Sequence, residues 1–513
     1  KDLRRLSSAG TSLIALYKML LWLLVSISTV AGIVYFVVSG GNFHAEAPSK
    51  SSELFEFKGT AAATFDLCGP PRTPPTVVTM VHSEDLQGWL NVAATQFARL
   101  CPHIQVKLTA REDMKTMQGL LSGELQPNIW APADELMLQY YEQLRSTESV
   151  RQAPALLGGR HELAVSPIVL LIWEDRLRVL STILREEPSR EGQWVRGLCP
   201  LVPRVPELTE MAPQAMRPGT WADWYAPLLS PTSTGTNDRK RVAARERATS
   251  RPVLPLRPPG DGLLPSFATI QSWGYVKLAR PRPTRFAAGL AVLLLMANDY
   301  VLPREDGKAT PLAGIAEESR ETTSAQPSDG PARSFEHAWP QQRDAFRNWV
   351  RRCEAGIEQP LVSEQQLPVL LQSMGAARLD GVITYEQAAL KVLEPLDAHP
   401  SDLSRLSLIY PNPTLVARHP AVLLSAEPAV QDAAQRWLRY LRSKPLQHEA
   451  IRHGFRPVDP SVSLRDPEVE YNAFLRLRRF GVSPQPRFVE PIRPAGKLLQ
   501  EILARWDEAT ELR

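Results

Sequence analysis

The sequence predicts a two-lobed α/β domain preceded by one transmembrane helix. Three observations predict it. Short β-branched runs alternate with amphipathic stretches from Val77 onward, a long apolar run interrupted by proline divides that series in two, and an uncharged run of twenty residues stands near the N-terminus.

That run, Met19 to Val38, would form a helix about 30 Å long, the thickness of the hydrocarbon core. Lys1, Arg4, Arg5 and Lys18 precede it, and Ser39-Gly40-Gly41 follow it. The cations place the N-terminus in the cytoplasm and everything after the span outside it. Residues 1–41 are therefore expected to be a cytoplasmic N-terminus and signal anchor of a single-pass inner (plasma) membrane protein, with a periplasmic or extracellular main domain. A cleaved signal peptide has a shorter apolar core, although His44-Ala45-Glu46-Ala47 imitates a cleavage site. Residues 42–75, ending in Gly69-Pro70-Pro71-Arg72-Thr73-Pro74-Pro75, read as a stiff linker.

The first strand is Val77-Val78-Thr79-Met80-Val81, and a helix follows over Leu86–Leu100 with Ser83 as its cap. Ile104–Leu108 is a second strand, Met114–Leu121 a helix, and Asn128–Pro132 a third strand and turn. The run Leu163–Trp173 contains Pro167, which a central ladder does not tolerate. The chain should bend there and pass from one sheet to a second. Residues 230–264, with Arg239-Lys240-Arg241, and 302–334 read as solvated insertions. Leu290–Met296 is too short to span a membrane and reads as a core helix. Further elements are helices at Phe346–Cys353, Leu367–Met374 and Ala429–Leu441, a strand at Gly381–Glu386 running into a helix, and a strand at Leu406–Pro411. A last amphipathic helix, Ala495–Thr510, needs a partner surface, either the chain's own body or another subunit.

Composition narrows the function. The 513 residues are 43% hydrophobic and 22% charged, enough for a core, and the net charge of +4 is too small for a nucleic-acid partner. The 46 prolines, about 9% of the chain, exclude a coiled coil or plain helical bundle. Cys68, Cys101, Cys199 and Cys353 form no CxxC pair, so no zinc site is expected. Outside the cytoplasm they could form disulfides in three full pairings, or they could be isolated buried thiols. There is no P-loop, GxGxxG, HExxH or GxSxG, so neither an enzyme, a cofactor nor a metal is expected.

Several pieces, in order, resemble the family 1-like extracellular (periplasmic) solute-binding proteins. These are the opening strand with Ser83, Leu121–Pro132 (LSGELQPNIWAP), Ala164–Val169, Trp273–Lys277, Val382–Glu386, Ile409-Tyr410-Pro411 and Gly454-Phe455-Arg456-Pro457. The resemblance implies a bilobal type II periplasmic-binding fold over residues 76–465. Lobe 1 would cover about 76–165 and 386–465, lobe 2 about 166–385, and residues 466–513 would form a C-terminal extension. It further implies a solute held beyond the carboxyl ends of strands. The residues so placed are Ser83, Trp130, Ser166, Tyr385, Glu386 and Tyr410. Thr284 and Arg285 stand where similar proteins carry a hydroxyl-rich helix start; here that segment reads Arg280-Pro281-Arg282-Pro283-Thr284-Arg285-Phe286-Ala287-Ala288. Two functions follow. One is capture of a small polar or anionic solute for a transporter or other membrane partner. The other is a binding-protein-like domain that has lost its ligand and serves as a structural or interaction subunit of a membrane complex.

Overall fold

Each apolar run of the first series becomes a strand of one sheet in the computed structural model. It describes residues 67–71, 73–146, 153–184, 220–222, 225, 264–301, 330–354, 357–358, 363, 365–398, 406–411, 413–425, 427–467, 469–486, 490–491 and 493–511. The expected span at 19–38 and most of both insertions lie outside these residues. No helix among the described residues is long and apolar enough to cross a membrane.

Strand β1 (Thr76–Ser83) leads into α1 (Gln87–Leu100), then β2 (Ile104–Arg111), α2 (Asp113–Ser122), β3 (Ile129–Ala131), α3 (Glu135–Arg145) and β4 (Leu157–Glu162). β1 lies parallel to both β2 and β3, as the helical crossovers require. The chain then leaves this sheet. β5 (Ser166–Trp173) is fully buried, with Pro167 near its start paired to a two-residue strand rather than in mid-ladder. Helix α4 (Glu174–Leu184), the short α5 (Phe267–Ser272), β6 (Leu278–Ala279), α6 (Ala287–Val301), α7 (Gly330–Glu354), β7 (Ile357–Glu358), α8 (Leu367–Met374), β8 (Gly381–Tyr385), α9 (Glu386–Ala398), β9 (Leu406–Ile409) and β10 (Val416–Ala417) build the second lobe. Its sheet runs β10-β5-β8-β6-β7, with β9 on β5.

The return to the first sheet differs from expectation. Glu386 starts a helix directly at the end of β8, and α9 packs on β5 and β8, so the chain stays with the second sheet past 386. It returns at β11 (Pro420–Leu423), giving the first sheet the order β2-β1-β3-β11-β4. Helices α10 (Pro428–Leu441) and α11 (Lys444–Arg452) follow, and then a third crossing, where Arg456 pairs with Val165.

The linker also ends earlier than expected. Cys68 is bonded to Cys101 at the end of α1, His103 Nε2 lies 2.9 Å from the Cys68 carbonyl, and Arg436 reaches the Leu67 carbonyl. Residues 67–69 are thus part of the first lobe. Cys353 is disulfide-bonded as well, while Cys199 lies outside the described residues.

The expected core helix at 290–296 is α6, apolar all round and buried over nearly its whole length. The extension beyond 466 forms α12 (Ala473–Arg476) and α13 (Gly496–Thr510). Leu498, Leu499, Ile502, Leu503 and Trp506 of α13 are covered by α3, α6 and α7, so the stripe finds its partner on the chain's own body. One apolar core therefore includes Trp130, Met137 and Tyr141 of the first lobe, Leu170, Leu293 and Trp339 of the second, and Trp506 of the extension.

Candidate functional site at the lobe junction

Strand ends, the three crossings and the C-terminal extension meet between the sheets. Ser83 Oγ accepts the Asp85 N–H at 3.5 Å and so caps the single turn after β1. Asp85, 2% exposed, accepts from Gln365 Nε2 at 2.9 Å across the junction, and Lys391 donates to the side-chain Oε1 of Gln365. Burial lowers the Lys391 ammonium. Trp130 does not face a solute space. It is 1% exposed and packs edge-on against Tyr141 at 5.3 Å, because β3 lies between two strands under α3.

The segment 280–288 closes against the first lobe. Arg285 pairs with Glu112 through two N–H groups, one at 3.0 Å, while Thr284 is half-buried beside it. The Arg285 guanidinium holds the Glu112 carboxyl below its usual range. Next to it the buried Asp113 accepts from the Ala133 N–H at 3.0 Å and, more weakly, from the Ala287 N–H at 3.4 Å. A carboxylate of the chain itself thus occupies the start of α6, where a bound anion would be stabilised by free N–H groups. Burial raises the Asp113 carboxyl to about 7; the Ala133 and Ala287 N–H groups oppose the rise, and Asp85 and Asp134 add to it.

At the hinge, Ser166 Oγ donates to the Gln387 side chain at 2.5 Å and accepts the Gln387 backbone N–H at 3.3 Å. Tyr385 is fully buried, its ring 5.8 Å from His419. Glu386 is fully buried and receives Arg456 bidentately, at 2.6 and 2.8 Å, together with the Tyr410 hydroxyl. The same Arg456 donates to the carbonyls of Ser483 (2.7 Å) and Pro484 (2.9 Å), and Tyr410 accepts the Ser483 N–H at 3.1 Å. Glu386 and Tyr410, placed by sequence next to a solute, are instead covered by the extension.

Farther along, Arg493 donates to Asp134 Oδ1 of the first lobe at 3.0 Å and also to the Val416 carbonyl of the second. Burial is the largest influence on Asp134 and raises it; the Arg493 charge opposes that. Gly496 then brings α13 against α3: a Cβ there would lie 2.5 Å from the Gln139 carbonyl oxygen.

Ser83, Ser166, Glu386 and Tyr410 do come to the junction, while Trp130 is core. Sequence reasoning missed Asp85, Asp113, Glu112, Gln387, His419 and Arg493. Arg456 was visible only as part of a landmark motif. Asp85 Oδ2, Gln387 Nε2 and both ring nitrogens of His419 have no hydrogen-bond partner among the described residues. His419 is fully buried in a left-handed conformation (φ 31°), and burial pushes its imidazole down to about 4.

No family model matches the sequence, and no curated protein matches it. Solved structures similar to this chain include a ferric binding protein from Campylobacter jejuni, at 10% identity and a TM-score of 0.42, covering 84% of this chain and 99% of that one. Apo FutA2 from Synechocystis PCC6803 is 12% identical with a TM-score of 0.40, covering 85% of this chain and 99% of that one. The sulfate-binding protein SubI from Mycobacterium tuberculosis H37Rv is 12% identical with a TM-score of 0.39, covering 80% and 93%.

Proposed function

We propose that this chain is an extracytoplasmic domain of the solute-binding type whose lobes are fastened together by its own C-terminal extension, and that it serves as an interaction subunit of a membrane assembly. The observation that carries this reading is the apolar core running unbroken from the first lobe through α13 into the second. Lobes joined by a small polar interface move freely, whereas a large hydrophobic one holds them. The Cys68–Cys101 bond fits an oxidising compartment, and the uncharged run at 19–38 supplies the anchor.

A second reading, capture of a small polar solute for a transporter, is favoured by one observation. Asp85, Gln387 and His419 present unpartnered buried polar atoms from both lobes and a crossing. Such atoms ordinarily meet water or a ligand. One experiment separates the two. In a thermal-shift panel of inorganic anions, amino acids and sugars at millimolar concentration, the locked domain shows no shift. A solute carrier rises by several degrees, because binding to the native state alone adds RT ln(1 + [L]/Kd).

A further inference from the structure

Away from the lobe junction, α10 and its following turn make one wall of a cavity of about 590 Å³, with His161 of β4 and the segment 458–460 as the others. Its volume falls in the usual range for small-molecule sites, about 300–1,000 Å³. Arg439 and Arg442 line it, and neither is in a salt bridge among the described residues, although most arginines of the first lobe and of the extension are. The two guanidinium groups sit one turn apart at the end of α10, so both face one ligand-sized space. Burial lowers the His161 imidazole, and the charge of Arg442 lowers it further, so this ring already senses the cationic field of the pocket. Gln435 and Ser443 add neutral polar atoms to the lining. Asp459 is the acidic group of the lining. It accepts the Ser461 N–H at 2.8 Å, and Ser461 is the main reason its carboxyl is held low, with the charges of Arg442 and Lys444 adding to it.

We propose that this pocket binds a small organic anion, its carboxylate or phosphate group held by Arg439 and Arg442 and its polar body lying towards His161 and Asp459. Planar guanidinium groups suit bidentate recognition of either head group. The site is independent of the reading given to the lobe junction, since its lining shares no residue with it.

Calorimetric titration of the detergent-solubilised full chain with citrate and with inorganic phosphate at low ionic strength tests the assignment. The charge-reversed variant Arg439→Glu/Arg442→Glu changes only exposed side chains, so folding is preserved, and Arg478→Glu serves as an exposed control. Binding of citrate or phosphate by the wild type, weakened about tenfold or more in the double variant and unchanged in the control, is expected. Histidine-detected NMR should show one imidazole, absent in His161→Gln, whose pKa rises as the anion binds. Equal binding by wild type and double variant overturns the proposal. So does the absence of wild-type binding for both anions up to about 10 mM, where even a weak site would be occupied.

Discussion

At the hinge end of the lobe junction, Arg456, Glu386 and Tyr410 meet the Ser483 and Pro484 carbonyls in a buried polar knot. At the far end the contact is apolar: Trp506, Leu499 and Ile502 lie between α3, α6 and α7. The chemistry of each end sets what it contributes. Burying apolar surface stabilises in proportion to area and tolerates many geometries. A buried ion pair roughly offsets its own desolvation, yet one broken pair is costly, so it defines one arrangement. The extension uses the first to supply energy and the second to fix register, with Arg493 between them touching both lobes.

The largest effect should come from the apolar end. Trp506→Ala removes a fully buried indole that also lies under Arg280 (5.9 Å) and Arg282 (5.7 Å). A loss of about 3–5 kcal/mol is expected by chemical denaturation. Hydrogen exchange should rise in α3 as well as in α7, because α13 packs on both. If only α7 is exposed, the helix is an ornament of the second lobe and not a tie between the two.

Glu386→Ala comes next. It leaves the Arg456 guanidinium buried without its carboxylate, with an expected cost of about 3 kcal/mol. The apolar replacement of both partners, Glu386→Leu with Arg456→Met, should recover much of that stability while loosening residues 483–484, seen as faster exchange there. A double variant as unstable as the single one would show that the polar knot supplies energy after all and would erase the contrast between the ends.

Much of the fold was legible because it is written locally. β-branched runs mark the strands, Pro167 marks the crossing, and the length of the apolar run marks α6 as core. The fastening was not. The stripe at Leu498–Trp506 demanded a partner surface, but periodicity carries no address for it. Glu386 and Arg456 are seventy residues apart, and their union depends on three crossings meeting at one place. Asp113 was invisible for a simpler reason: an acid in the first turn of a helix is ordinary, since it complements the helix dipole. That it also reaches Ala287 is a property of the packed lobes.

Asp113 gives a pH test of the closed junction. Its carboxyl is raised in the folded protein, so the folded state binds a proton that the unfolded chain has already released. Stability is therefore greatest below the ordinary carboxylate range and falls as pH rises towards about 7. Asp113→Asn should flatten that fall, with a melting temperature a few degrees above wild type at pH 8 and near it at pH 5. Asp85, Asp134, Glu112 and Arg285 are the charged groups around it and should be kept intact in the comparison.

The smallest effect is expected at the most exposed tie. The Arg285 and Glu112 side chains are 24% and 13% exposed, so Arg285→Ala should cost about 1 kcal/mol or less. Its pH dependence runs opposite to that of Asp113. Arg285 is the main cause of the depressed Glu112 carboxyl, so the pair's contribution is fully present above the ordinary carboxylate range and is lost as pH falls below that range through the depressed folded-state value. The difference between wild type and Arg285→Ala should be measurable at pH 7 and vanish once pH falls below the depressed Glu112 value. A difference that persists in acid would mean that the arginine acts by packing over Phe286, 5.2 Å away, and not by its charge. The cleft edge would then join the apolar end of the junction in kind, and the polar knot at the hinge would stand alone.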